Sequence, residues 1–147
     1  MINSYCYAAG MRDPLQDLPG YSLRRAAAAM MAELSARLEP LGLRFADVSA
    51  LLLVEANPAI TASQLGRMLD IQRANMVPLV ARLEAADLLL RQPIDGKSHG
   101  LRLTEVGRAK LNEAQTLIDT FETELLGRVP AEHRPHFKPA LDALWRT

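Results

Sequence analysis

The chain is poor in the features that would mark a secreted or membrane protein. It has one cysteine, Cys6, so it can form no internal disulfide and nothing in it requires an oxidising compartment. No apolar stretch is long enough to span a bilayer, and the first residues lack the basic head and apolar run of a signal peptide. We therefore expect a cytoplasmic protein that has no membrane partner.

Aromatic residues are also scarce, at 5% of the chain, whereas hydrophobic residues as a whole reach 49%. With alanine and leucine dominant, this imbalance favours a mainly helical fold. A chain of 147 residues has room for one domain, or for a small domain with an attached dimerisation layer.

Net charge is absent as well, because 17 basic and 17 acidic side chains cancel. The balance is uneven along the chain, since residues 61–110 are the only positive segment. They hold five acidic side chains and eight basic ones, namely Arg67, Arg73, Arg82, Arg91, Lys97, Arg102, Arg108 and Lys110. A local excess of positive charge suits a polyanionic partner.

The positive segment also has the most regular pattern. Thr61 followed by Gln64 is a capping box, which predicts the start of a helix. Residues 70–72 are too few to be more than a turn. A second helix is predicted over residues 72–86, and it buries the face on which apolar residues recur at helical spacing, namely Met76, Leu79, Val80 and Leu83.

Two strands are predicted after this second helix, at Leu88–Arg91 and Leu101–Leu103, joined by a polar hairpin tip over residues 93–100. A short strand at Ala59–Ile60 is expected to add to their sheet. Helix, turn, helix and hairpin form the outline of a winged helix-turn-helix. Its most common use is to place the second helix in a DNA major groove.

Outside this outline, helices are predicted over residues 22–41, 45–56, 105–126 and 130–145. Gly127 is expected to end the third of these. Pro135 and Pro139 predict either a late start of the last helix, near Pro135, or a kink in it. The terminal helices have more apolar surface than a small winged domain can cover, which predicts self-association.

The predicted fold is therefore mainly α with a small β-wing: a winged helix-turn-helix domain plus N- and C-terminal dimerisation helices. We divide it into an irregular N-terminal arm (1–20), a dimerisation helix (21–44), the winged helix-turn-helix domain (45–104) and C-terminal dimerisation helices (105–147).

Three stretches carry a family resemblance: LEPLGLRFADVSALLLVEANP, ITASQLGRMLDIQRANMVPLVARLEAADLL and DGKSHGLRLTEVGRAKL. They share, in order and at family spacing, the leucine after the turn, Arg-Leu-Glu near the helix end, the acidic wing start and Leu-Thr-Glu-x-Gly. From about Leu18 to its end, the chain resembles the MarR-type transcriptional regulators. The resemblance implies a two-fold homodimer with interlocked terminal helices, regulated by a small phenolic or lipophilic ligand.

The hypothesis is thus a homodimeric, sequence-specific regulator of transcription, a ligand-responsive repressor that binds a pseudo-palindromic double-stranded DNA operator. Arg73 and Asn75 suit base readout, and small apolar side chains suit thymine methyl groups. The second set is Ala74, Val77, Pro78 and Ala81. Pro78 lies deep enough in the helix to predict a local bend.

Backbone contacts are assigned to Ser63, Gln64, Arg82 and Lys97. Lys97 and His99 at the wing tip can reach a minor groove or phosphates. MarR-type wings usually place an arginine where Lys97 stands, and lysine lacks the planar fork of arginine. Arg91 and Arg102 are substitutes, or serve only as surface charge. Arg44 weakens the start of the helix over 45–56 and offers a phosphate contact instead.

An effector cleft between the winged domain and the dimer helices would be lined by Met30, Met31, Leu34, Val48 and Leu52, although this spacing is also typical of core residues. A redox role for Cys6 and a metal site at His133 and His136 are the less favoured interpretations. No cofactor, metal site or catalytic constellation is predicted. The alternative to a DNA reader is a winged-helix protein–protein module in which the outer face of the second helix docks a partner.

Overall fold

A computed structural model describes residues 13–94 and 98–146. The chain divides into two compact units, Met1–Glu33 and Leu34–Thr147, which we describe separately. The elements, in order, are α1 (Pro19–Leu38), α2 (Phe45–Ala56), α3 (Ala62–Met68), α4 (Arg73–Ala85), β1 (Leu89–Pro93), β2 (His99–Leu103), α5 (Glu105–Arg128) and α6 (Arg134–Asp142), with 3₁₀ turns at Glu39–Leu41 and Ala131–His133. None of the helices within the described ranges is long and apolar enough to cross a membrane.

Helix α1 begins earlier than predicted, at Pro19 instead of Ser22. Proline is favoured at a first helical position, because its fixed φ suits the helix and its missing N–H would have no partner there. The helix passes into the 3₁₀ turn that contains Pro40, and Gly42 then adopts the left-handed conformation at φ 68°. The predicted termination by this proline and this glycine is confirmed.

The wing is a two-stranded antiparallel sheet in which Leu89 pairs with Leu103 and Pro93 with His99. Both strands are longer than predicted. The strand expected at Ala59–Ile60 is wrong, since only one backbone hydrogen bond joins this segment to β2, from Leu101 N–H to the Ile60 carbonyl at 2.8 Å. Ala59 has a positive φ of 62°, which a strand residue does not adopt.

The core of the second unit lies between α2, α3, α4, α5 and the wing. The predicted inner face of the second helix is confirmed, because Met76, Leu79, Val80 and Leu83 are all buried. They join buried side chains from each neighbouring element, namely Leu38, Val48, Leu51, Leu65, Leu89, Leu101, Leu111 and Phe121. This packing fixes which face of α4 meets solvent.

The C-terminal helices differ in detail from the prediction. Gly127 does not end α5, which runs to Arg128. The guanidinium of Arg134 donates instead to the carbonyls of Gly127 and Val129, at 2.9 and 2.8 Å, and so satisfies the end of the helix. The late start of the last helix is confirmed, although it ends at Asp142, before the predicted residue 145.

Candidate nucleic-acid interface

Helix α3 starts with the predicted capping box. The backbone N–H of Gln64 donates to the Thr61 hydroxyl at 3.2 Å, and the Thr61 N–H donates to Gln64 Oε1 at 2.9 Å. The Thr61 hydroxyl also donates to this oxygen. Gln64 was predicted to contact the DNA backbone, but its amide oxygen is occupied by the cap. Ser63, the residue before Gln64, takes no part in the cap and is exposed.

A tight crossing holds α3 against α4. The Ile71 N–H donates to the Gly66 carbonyl at 2.9 Å. A Cβ at Gly66 would lie 2.8 Å from the Met76 side chain and 3.2 Å from the Ile71 carbonyl oxygen. Asp70 adopts a positive φ of 51° in the turn between the two helices. The glycine therefore allows the close helix-turn-helix contact that sets the direction of α4.

The outer face of α4 is exposed, as predicted. Val77 retains 63% of its accessible surface, although it lies one residue from the buried Met76. Pro78 is within the continuous helix and also exposed, and the bend expected from it stays a prediction. The exposed set at the start and along this face is Arg73, Ala74, Asn75, Val77, Pro78 and Ala81.

Arg82, predicted to contact the DNA backbone, pairs with an acid of α2. Its guanidinium forms an ion pair with Asp47, whose side chain is only 2% exposed. The second oxygen of the Asp47 carboxylate accepts the Arg44 N–H at 2.8 Å and caps the start of α2. The Arg44 side chain makes no cap hydrogen bond, and the Asp47 carboxylate binds the Arg44 N–H in its place. Arg82 joins α4 to this carboxylate.

In the sequence, Asp47 is notable only for its favourable place in the first turn of a helix. Its partner lies 35 residues away in the chain, so no local pattern could have identified the pair.

A groove of about 550 Å³ runs between α3 and α4 on the exposed side of the helix-turn-helix. Its polar lining consists of Ser63, Arg67, Asp70, Gln72, Arg73 and Arg91. Ser63 and Arg73 were predicted as interface residues, and the structure places both along one surface. Arg67 was missed, although its position four residues after Ser63 puts both side chains on the same face of α3.

The basic side chains of residues 61–110 fall into two groups. Four pair with acids: Arg82 with Asp47, Arg91 with Glu84, Arg108 with Glu55 and Lys110 with Glu113. Among the residues that the structure describes, Arg67, Arg73 and Arg102 have no acidic partner and are exposed. Lys97 lies outside the described residues. The free positive charge thus concentrates on the groove and on β2.

The wing strands are described up to Ile94 and again from Ser98. His99 is exposed at the start of β2. Arg91 on β1 donates through Nε and Nη2 to the two carboxylate oxygens of Glu84, at 2.8 and 3.2 Å, and so ties the wing to the end of α4. The wing is therefore anchored beside the exposed face of α4.

The predicted effector residues fall into both units. Leu34 and Val48 are buried in the second unit, and Leu52 is 36% exposed there. Met30 and Met31 are half-buried residues of α1 in the first unit. Their common role in a ligand site stays a prediction.

The other interpretations gain no support. No group of three or more metal-ligating side chains lies together in the described ranges. Both His133 and His136 are exposed near the start of α6. Cys6 is outside the part of the chain that the structure describes.

The family model of the MarR family matches residues 41–98, which contain the capping box, α3, α4 and β1. A solved structure of the transcriptional repressor CouR bound to a 23-mer DNA duplex superposes with a TM-score of 0.83 and 33% identity, over 90% of this chain and 95% of CouR. The chain belongs to the MarR family of winged helix-turn-helix transcriptional regulators.

Three further comparisons, with two proteins, extend over most of this MarR-family chain. CouR bound to p-coumaroyl-CoA matches with a TM-score of 0.83 and 31% identity, over 92% of this chain and 97% of that one. The HTH-type transcriptional repressor Rv2887 of Mycobacterium tuberculosis is 29% identical over 127 residues, 85% of this chain and 91% of the relative. Its complex with salicylic acid superposes with a TM-score of 0.69 and 27% identity, over 93% of this chain and 99% of that one.

Proposed function

We propose that the chain is a homodimeric repressor that binds a pseudo-palindromic DNA operator and responds to a small ligand. The observation that carries the proposal is the division of α4: one face is buried in the core, and the other presents Arg73 and Asn75 to solvent at the start of the helix. Donors at the start of a recognition helix are placed to meet base edges in the major groove. The relatives CouR and Rv2887 are repressors.

Each proposed contact has a distinct role. Arg73 and Asn75 read bases, and the small apolar side chains of α4 meet thymine methyl groups. Ser63 positions the DNA backbone, and the wing over residues 93–100, with Lys97 and His99, approaches the minor groove. Arg82 is not among the contacts proposed here, because its guanidinium pairs with Asp47.

The dimer is proposed from apolar surface that a single chain leaves uncovered. In the first unit Leu18 and Leu23 are 51% and 42% exposed, and in the second Leu144 and Trp145 are both 67% exposed. We assign the dimer contacts to residues 21–44 and 105–147, and the DNA contacts to the winged domain over 45–104. A two-fold dimer of this kind would place its two copies of α4 about 34–36 Å apart, which is one turn of DNA.

The proposed effector is a phenolic acid or its coenzyme A thioester, because CouR binds p-coumaroyl-CoA and Rv2887 binds salicylic acid. A ligand releases DNA only if it binds more tightly to the form of the dimer whose two copies of α4 do not fit the operator. The proposed protein is a regulator without catalytic activity of its own, and it acts in the cytoplasm.

We expect at least one ligand among salicylic acid, p-coumaric acid and p-coumaroyl-CoA to lower the affinity of the protein for its own upstream DNA. Fluorescence anisotropy of a labelled duplex, titrated with protein at saturating ligand, measures the change. Acetate is the control for the carboxylate group of the acids, and free coenzyme A is the control for the coenzyme A part of the thioester. Unchanged affinity with all three aromatic ligands would contradict this class of effector.

Arg73→Ala is expected to weaken binding to the protein's own upstream sequence by about 1–3 kcal/mol while leaving non-specific binding much less affected, because a bidentate base contact discriminates by that amount. Anisotropy titrations with the upstream duplex and a scrambled duplex of equal length measure both affinities. Lys138→Gln, which removes an exposed positive charge on α6, is the matched control. Equal losses on both duplexes would show that Arg73 does not read bases.

The same titrations separate a DNA reader from the alternative, a protein-docking winged helix. Unlabelled non-specific DNA competes with the operator for a DNA reader but does not displace a protein from the exposed Val77 and Pro78 surface.

A further inference from the structure

Arg67 lies in the last turn of α3, four residues after Ser63, so both side chains share one face of the helix. Both line the groove between α3 and α4, and Arg73 borders the same groove from the start of α4. Arg67 is not among the interface residues predicted from the sequence. Its place on the first helix of a helix-turn-helix is the place where that helix crosses the DNA backbone.

Arg67 is one of three described cations in residues 61–110, with Arg73 and Arg102, that have no acidic partner. A paired arginine must give up its acid before it can neutralise a phosphate, and Arg82, Arg91 and Arg108 are all paired. Among described residues Arg67 has neither an acid nor a carbonyl as its acceptor, and its side chain is exposed. Neutralising a phosphate therefore costs Arg67 no existing contact, while it releases a counterion from the DNA.

The groove also contains one acidic side chain, which disfavours the binding of an anion. Asp70 lines it too and is exposed in the turn after α3. Its carboxylate would repel a phosphate held beside Arg67. The groove therefore contains one group that favours phosphate binding and one that weakens it. Asparagine tolerates the positive φ of this position, which makes Asp70→Asn a conservative probe.

We propose that Arg67, with the Ser63 hydroxyl, is a DNA phosphate contact of the helix-turn-helix, and that Asp70 tempers its strength. The proposal rests on the proposed DNA-binding function and adds to it a backbone contact that acts on every sequence alike. Arg73 reads bases from the opposite rim of the groove, whereas Arg67 holds the register of the duplex against α3.

The test uses the full-length protein and fluorescence anisotropy on its upstream duplex and on a scrambled duplex, between about 50 and 200 mM salt. The slope of log affinity against log salt counts neutralised phosphates, at about 0.9 each. Arg67→Gln should lower the slope by about 1.8 for a dimer, on both duplexes, with the preference for the upstream duplex unchanged. Asp70→Asn should raise affinity on both duplexes.

Arg108→Gln is the control, because it removes an exposed arginine that is already paired with Glu55 and should leave the slope unchanged. A wild-type slope retained by Arg67→Gln, in a protein that prefers its upstream duplex, would overturn this inference and leave the proposed function standing. A slope lowered as much by Arg108→Gln would also overturn it, because net charge alone would then explain the effect. A wild-type protein with no slope and no preference would overturn both.

Discussion

Gly107→Ala should destabilise the protein by about 3 kcal/mol or more, at or beyond the upper end for an overpacked core. A Cβ at Gly107 would lie 2.0 Å from the Leu88 carbonyl oxygen and 2.8 Å from its carbonyl carbon. These are backbone atoms, which cannot rotate away as a flexible side chain could. Because the same carbonyl accepts the Thr104 N–H at 3.2 Å, moving α5 outward would also break the start of the helix.

Gly127→Ala is the matched control in the same helix, since a Cβ there would meet nothing within 4 Å. Alanine loses less backbone entropy than glycine on entering a helix, so this variant should gain about 0.5–1 kcal/mol. Urea unfolding measures the free energy of unfolding of both variants. The protein concentration is held fixed, because the stability of a dimer depends on concentration. Similar free energies of unfolding for the two variants would contradict the close contact between α5 and residue 88.

Arg82→Ala should cost about 3 kcal/mol, the low end of the range for breaking a buried ion pair. The Asp47 side chain is 2% exposed and would keep only the Arg44 N–H as a partner for its charge. The low end applies because the Arg82 side chain is 39% exposed, so water already screens part of the attraction.

A double-mutant cycle identifies the cause of this loss. Asp47→Asn removes the charge that Arg82→Ala would leave unpaired, so the double variant should be less destabilised than the sum of the two single variants. Chemical denaturation of all four proteins supplies the coupling energy. Strict additivity would mean that the pair does not hold α4 to the start of α2, and Arg82 would again be a candidate for DNA contact.

Local patterns in the sequence predicted most of the fold. The capping box of Thr61 and Gln64 and the buried face of α4 depend on residues three or four positions apart, and the structure has both. Errors arose where a distant partner decides the conformation. The segment at Ala59 does not form a strand because Ala59 has a positive φ. This residue packs closely on Gly100, where a Cβ would lie 2.8 Å from the Ala59 Cα.

The candidate site divides in the same way. The exposed residues of α4 follow from helical spacing, and spacing alone could also have indicated Arg67, four positions after Ser63. Which arginines are free could not be predicted, because the acids that occupy Arg82 and Arg108 lie 35 and 53 positions away along the chain. Contacts that distant depend on tertiary packing and have no periodic signal.

The central claim is that the exposed face of α4 reads double-stranded DNA from a two-fold dimer. Its most direct test is the affinity of the wild-type protein for its own upstream region and for a scrambled duplex, measured by fluorescence anisotropy at two salt concentrations. We expect a clear preference for the upstream region and an affinity that falls steeply with salt. No preference and a flat salt response would contradict the claim.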